Sequence, residues 1–123
     1  MTPPATLAAG LRAHAQGLRC LEAAAELLIA QSWLHRDDFT SRFITACPGT
    51  GGGQPAAVID WPAAIAALGS GLPCSGGEQR MLKITASLAD GIPVDLRGTL
   101  TGLDDRNIQL LLTAICRASG KPS

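Results

Sequence analysis

The chain has 123 residues, of which 46% are hydrophobic, 16% charged and 3% aromatic, and its 10 basic and 10 acidic side chains give no net charge. This length fits one domain that buries a core without metal or disulfide staples. Zero net charge provides no long-range field to attract nucleic acid or an anionic membrane, and highly charged disorder is excluded. Because few charged side chains cover the surface, we expect the protein to associate; alternatively, the 20 alanines merely inflate the hydrophobic fraction.

The first predicted element is one long helix over residues 5–34. Its apolar positions alternate in steps of four and three, as in a heptad stripe: Leu7, Leu11, His14, Leu18, Leu21, Ala25 and Leu28. Gly10, Gly17 and Ala24 repeat every seven residues on an adjoining side, which favours close approach of another helix; the alternative is ordinary sequence drift. His14 at a core position is typical of a hydrogen-bonded core histidine or a polar residue that fixes helix register.

A helix of that length spans about 45 Å, more than the diameter of a compact domain of this size. We therefore predict that part of the stripe forms an interface between two copies of the chain. The predicted interface residues are Leu7, Gly10, Leu11, His14, Gly17, Leu18 and Leu21. The alternative is that helices from residue 57 onward in the same chain cover them.

Two shorter helices are predicted next, on either side of a Gly/Pro-rich connector. Asp37 or Asp38 can cap a helix that carries Phe39, Phe43 and Ile44. After the connector, Asp60 and Pro62 mark the start of another helix, with Ile65 and Leu68 on its buried side.

The remaining helices have clear start and stop signals. Ser75 and Glu78 form a capping box that opens a helix ending at Gly91. Its inward positions are Met81, Ile84, Thr85 and Leu88. Asp95 can cap a short helix through Leu100.

The last helix begins at Asp104, between Leu103 and Ile108 in hydrophobic-staple positions, and Gly120 follows its end. Its predicted inward residues are Ile108, Leu111, Leu112 and Ile115. Nothing in the sequence indicates a strand as strongly.

We therefore predict an all-α fold, a compact bundle of five or six helices with a long N-terminal helix, in a single domain over residues 1–123. N-terminal helices occupy 1–46, the connector 47–56 and C-terminal helices 57–120. The predicted core comprises Leu11, Leu18, Leu21, Leu28, Trp33, Phe39, Phe43, Ile65, Leu68, Leu82, Ile84, Leu88, Ile108, Leu111 and Ile115.

Residues that carry chemistry are few, and their spacing argues against catalysis. Cys20, Cys47, Cys74 and Cys116 form no CxxC pair and match no zinc motif, so we expect neither a metal nor another cofactor. The glycines of 49–53 are not followed by the Gly-Lys-Ser/Thr of a phosphate-binding loop. Cys74 precedes a helix start, where a thiolate is favoured, but a structural cysteine beside a cap is the preferred interpretation.

Residues 78–118 also allow a helix-turn-helix-like arrangement, so a DNA-binding regulator is the alternative function. Residues 78–123 contain six basic and five acidic side chains, and 110–112 is Leu-Leu-Leu where a reading helix needs polar side chains. Nucleic-acid binding is therefore disfavoured.

Four segments together resemble a family of small uncharacterised helical proteins from Streptomyces and related actinobacteria. They are the runs 36–39, 72–78, 87–96 and 102–107, which read RDDF, LPCSGGE, SLADGIPVDL and GLDDRN. The resemblance implies a bacterial, cytoplasmic origin and carries no activity, ligand or site residue.

The sequence contains no basic and apolar leader pattern and no apolar stretch near the roughly 18 residues that span a bilayer. We therefore predict a cytoplasmic, non-catalytic protein-interaction or regulatory module, not an enzyme and not membrane-bound, that associates with itself or with a protein partner.

Overall fold

The computed structural model describes residues 2–49 and 55–121. In this part of the chain it contains seven α-helices, one 3₁₀ turn and one antiparallel pair of strands. In chain order the elements are α1 Pro4–Ala15, α2 Arg19–Ala30, the 3₁₀ turn Trp33–His35, α3 Asp37–Phe43, β1 Ile44–Cys47, β2 Ala56–Ile59, α4 Trp61–Gly69, α5 Gly76–Asp90, α6 Leu96–Leu100 and α7 Asp105–Ser119.

The prediction of one helix over residues 5–34 is wrong, because the chain turns at Gly17. This glycine has a φ of 88°, a left-handed conformation that ends α1 and that glycine adopts without steric cost. The chain then folds back, and the Arg12 guanidinium meets the Glu26 carboxylate at 2.7 Å. The predicted 45 Å rod is therefore two twelve-residue helices packed against each other.

The all-α prediction is also incomplete, because β1 and β2 pair as a small antiparallel sheet. Ile44 lies opposite Ile59, and Cys47 lies opposite Ala56. Each strand has four residues, too few for an alternating pattern to stand out in a sequence. The predicted connector 47–56 thus begins and ends within the strands, and its residues 50–54 lie outside the described part of the chain.

Several predicted helix boundaries are confirmed. Ser75 and Glu78 form the capping box of α5, with nitrogen-to-oxygen distances of 2.8 and 3.1 Å. Asp60 caps α4, and Asp104 caps α7 by accepting from the Asn107 N–H. These boundaries were predictable because each depends on contacts within one turn.

Asp37 and Asp38 do not cap α3, contrary to prediction. Both lie within its first turn, and the residue at the cap position is Arg36, whose side chain makes no capping hydrogen bond. Asp38 instead accepts from the Arg36 guanidinium at 2.7 and 3.1 Å.

The buried residues form two clusters on either side of α2. The larger one contains Trp33, Phe39 and Phe43, whose rings pack in succession at centroid distances of 4.9 and 5.3 Å. The smaller one joins α2, α5 and α7 and consists of Ala23, Leu27, Met81, Ile84, Leu111 and Ala114.

Most of the predicted core is buried or half-buried, with three exceptions. Leu18, Ile108 and Ile115 are 59%, 39% and 50% exposed. Leu18 lies in the turn between α1 and α2, so it belongs to neither helix and its side chain does not continue the buried side of α1. The two isoleucines lie on the outer side of α7.

Candidate interaction surface

The first half of the predicted interface is covered by the chain itself. Leu7 and Leu11 are each 5% exposed, and Gly10 is also buried. The covering element is β2: a Cβ atom at Gly10 would lie 2.9 Å from the backbone nitrogen of Ala57. The close approach expected at Gly10 is therefore made by a strand and not by a second helix.

The second half of the predicted interface is divided by the turn. Gly17 and Leu18 lie at the turn and are exposed, His14 is exposed, and Leu21 is half-buried on α2. His14 thus does not occupy the core position that the heptad pattern assigned to it. Three of the seven residues, Leu11, His14 and Leu21, do line one hollow of about 270 Å³ beside β2.

A different apolar surface lies on α7, which we call the α7 stripe: Ile108, Leu112 and Ile115. These side chains are 39%, 50% and 50% exposed. Because they are four and three residues apart, they project from one side of the helix. Leu111 and Ala114 occupy the buried side and pack in the cluster with α2 and α5.

The sequence places the α7 stripe in the core because the hydrophobic staple assigns Ile108 inward, and Leu112 and Ile115 follow it at helical spacing. The small residues of α7 distinguish its buried side from its exposed side. Ala114 and Ala118 lie on the same side as Leu111, and their size lets α7 pack close to α2. On α6, Leu96 and Leu100 are also exposed, at 55% and 43%.

The ends of α7 carry opposite charge. Asp104 and Asp105 lie at its start, where carboxylates also interact favourably with the helix dipole. Arg117 and Lys121 lie at its end, and the guanidinium of Arg19 lies against Gly120 just beyond it. The helix therefore begins with two carboxylates and ends in a basic turn, while Arg106 in its first turn donates to the carbonyl of Ala30 on α2.

Cys74 lies in a setting that disfavours a reactive thiolate. The residue is half-buried, and burial is the main reason that the pKa of its thiol is raised above its ordinary value. The nearby Glu78 carboxylate raises this pKa further, while Arg36 opposes the shift. The thiol is thus kept protonated, opposite to the effect expected from a helix start alone.

No group of three or more His, Cys, Asp or Glu residues within 2–49 and 55–121 is placed to hold a metal ion. The glycine-rich segment considered for phosphate binding lies almost wholly outside the described residues. No helix in the described part of the chain is long and apolar enough to cross a membrane.

Comparison of the chain with protein-family models, with curated proteins and with solved structures found no match. The resemblance to actinobacterial proteins therefore stays a prediction.

Proposed function

We propose that the protein is a non-catalytic interaction module that pairs with a second copy of itself through the α7 stripe. The observation that carries this proposal is the exposure of Ile108, Leu112 and Ile115 on one side of a helix whose other side is buried. Removing such side chains from water is favourable, and this hydrophobic interaction does not depend on the direction in which the partner's groups point.

The charges at the ends of α7 favour a second copy over an unrelated partner. In a two-fold antiparallel pair centred between Leu111 and Leu112, Ile108 of one copy faces Ile115 of the other. The same arrangement brings Asp104 and Asp105 next to the C-terminal end of α7 in the second copy. At that end lie Lys121 and, against Gly120, the guanidinium of Arg19. The antiparallel helix dipoles are complementary as well.

A matched pair of substitutions tests this proposal. Leu112→Glu places a carboxylate within the α7 stripe, whereas Thr113→Glu adds the same charge at the next exposed position, outside the stripe. We expect sedimentation equilibrium at high micromolar concentration to give a dimer mass for the wild type and for Thr113→Glu, and a monomer mass for Leu112→Glu. Circular dichroism of the three proteins should be the same.

A wild-type mass that stays that of a monomer over this concentration range would overturn the proposal. So would a dimer that survives Leu112→Glu, because the contact would then lie elsewhere, for example around the turn at Leu18.

DNA binding through α5, α6 and α7 is the weaker candidate. The exposed side of α7 offers isoleucine and leucine, whereas base edges are recognised by hydrogen-bonding side chains. We expect no salt-sensitive binding to duplex DNA below micromolar concentration.

We also propose that the protein acts in the cytoplasm, where reduced thiols such as the free Cys20 and Cys47 are usual.

A further inference from the structure

A cavity of about 460 Å³ opens between α4, α5 and α6, and none of its lining residues belongs to α7. Its apolar lining comes from Ile65 on α4 and from the loop residues Ile92, Pro93 and Val94. Ligand cavities of about 300–1,000 Å³ with an apolar lining and a few polar groups are the usual form of small-molecule sites.

Two cations of α5 line this cavity. Arg80 and Lys83 are three residues apart, so they lie on the same side of the helix. The guanidinium of the half-buried Arg80 lies against Gly102 and makes a long hydrogen bond of 3.5 Å to the carbonyl of that residue. The ion pairs found among the described residues are made by Arg12 and Arg36, and Arg80 and Lys83 take part in none of them.

One acid, Asp95, lines the cavity on the side of α6. With two cations and one carboxylate, the lining has a net charge of +1 (two minus one). This balance favours a ligand with a single negative charge over a dianion such as a phosphate monoester.

We propose that this cavity binds a small organic monoanion with an apolar body, such as a medium-chain carboxylate. The carboxylate lies between Arg80 and Lys83, which donate charge-assisted hydrogen bonds to it. The hydrocarbon chain lies on Ile65, Ile92 and Val94. Its lining residues are different from those of the α7 stripe.

Octanoate, octylammonium and 1-octanol are suitable probes, because they share a chain and differ in charge. In a ¹⁵N–¹H correlation spectrum, we expect millimolar octanoate to shift the backbone amides of Lys83, Val94 and Thr99. We expect octylammonium and octanol to bind at least about tenfold more weakly, since neither accepts charge-assisted hydrogen bonds from the two cations.

Lys83→Gln is the informative variant, because Lys83 is exposed and its replacement leaves the core intact. We expect it to weaken octanoate binding about tenfold. Arg97→Gln removes the same charge from an exposed position on α6 that does not line the cavity, and should leave the affinity unchanged.

Three results would overturn the proposal: no octanoate shifts at these amides, equal shifts with octylammonium, or an equal loss of affinity in Arg97→Gln. Each can be obtained whether the protein is a monomer or a dimer, so this test is separate from that of α7.

Discussion

Helices α1 and α7 both carry large aliphatic residues three or four positions apart, leucines in α1 and leucines and isoleucines in α7, yet only the stripe of α1 is covered. Leu7 and Leu11 are each 5% exposed, whereas Leu112 and Ile115 are each 50% exposed. The difference arises because β2 packs on α1, whereas α7 contacts mainly α2 among the described elements. Spacing thus indicates that a helix has an apolar side, but a distant segment decides whether that side is buried.

The largest expected difference between the two helices is in the loss of unfolding free energy when a leucine of each is replaced by alanine. Leu11→Ala removes buried methyl groups and leaves a cavity, so we expect a loss of about 2–5 kcal/mol in the free energy of unfolding. Leu112→Ala removes a half-exposed side chain and should cost less than about 1 kcal/mol when measured at a concentration that keeps the protein monomeric. Urea denaturation measures both values, and equal losses would contradict the assignment of buried and exposed stripes.

A smaller effect is expected where β2 approaches α1. A Cβ atom at Gly10 would lie 2.9–3.0 Å from backbone atoms of Ala56 and Ala57, so Gly10→Ala forces the strand to shift. Overpacking costs about 1–3 kcal/mol and the gain in helix propensity is about 1 kcal/mol, so we expect a net loss of up to about 2 kcal/mol in the free energy of unfolding. The control is Gly69→Ala at the end of α4, where a Cβ atom meets nothing within 4 Å, and it should be neutral or slightly stabilising. Thermal unfolding that shows Gly10→Ala to be as stable as the control would rule out the close contact.

The smallest effect concerns the ion pair that joins α1 to α2. Glu26 accepts from the Arg12 guanidinium at 2.7 and 3.0 Å, and this hydrogen bond lowers the pKa of Glu26 below its ordinary 4.5, although burial opposes the shift. The resulting stabilisation is present above pH 4.5 and is lost as the pH falls through the lower pKa of the folded state. Because both side chains are partly exposed, the contribution is about 0.5 kcal/mol.

Glu26→Gln should therefore lower stability at neutral pH and make the fall in stability on acidification smaller than in the wild type. Denaturant titrations at neutral and acidic pH test this difference. A wild type and variant with parallel pH profiles would show that the ion pair does not hold the two helices together.

The parts of the fold that the sequence predicts are those fixed within one helical turn. Ser75 with Glu78, Asp60 and Asp104 mark helix starts, and Gly91 and Gly120 mark helix ends, because capping hydrogen bonds connect near neighbours. The sites of burial along α5 were predictable as well, since Met81, Ile84 and Thr85 recur at helical spacing.

What the sequence did not predict depends on residues far apart in the chain. The turn at Gly17 does not interrupt the spacing of three and four residues that runs from Leu11 through Leu18 to Leu21. One continuous helix and two helices joined by a turn therefore have the same apolar pattern in the sequence. The pairing of Ile44 with Ile59 adds a strand beside α1, and only this contact shows why Gly10 must be small. The α7 stripe was missed because the helical spacing of the large aliphatic residues was followed, whereas the small residues Ala114 and Ala118 mark the side of Leu111 as the buried one.

The three consecutive alanines of α2 explain how so short a chain arranges helices around a common axis. Ala23 and Ala24 are fully buried and Ala25 is 6% exposed, and successive positions point about 100° apart, so α2 is enclosed over most of its circumference. With side chains this small, neighbouring helix axes can approach to about 8 Å. Because these side chains are small, α2 has a small diameter and α1, α5 and α7 can pack around it, so the three alanines serve close packing more than hydrophobicity.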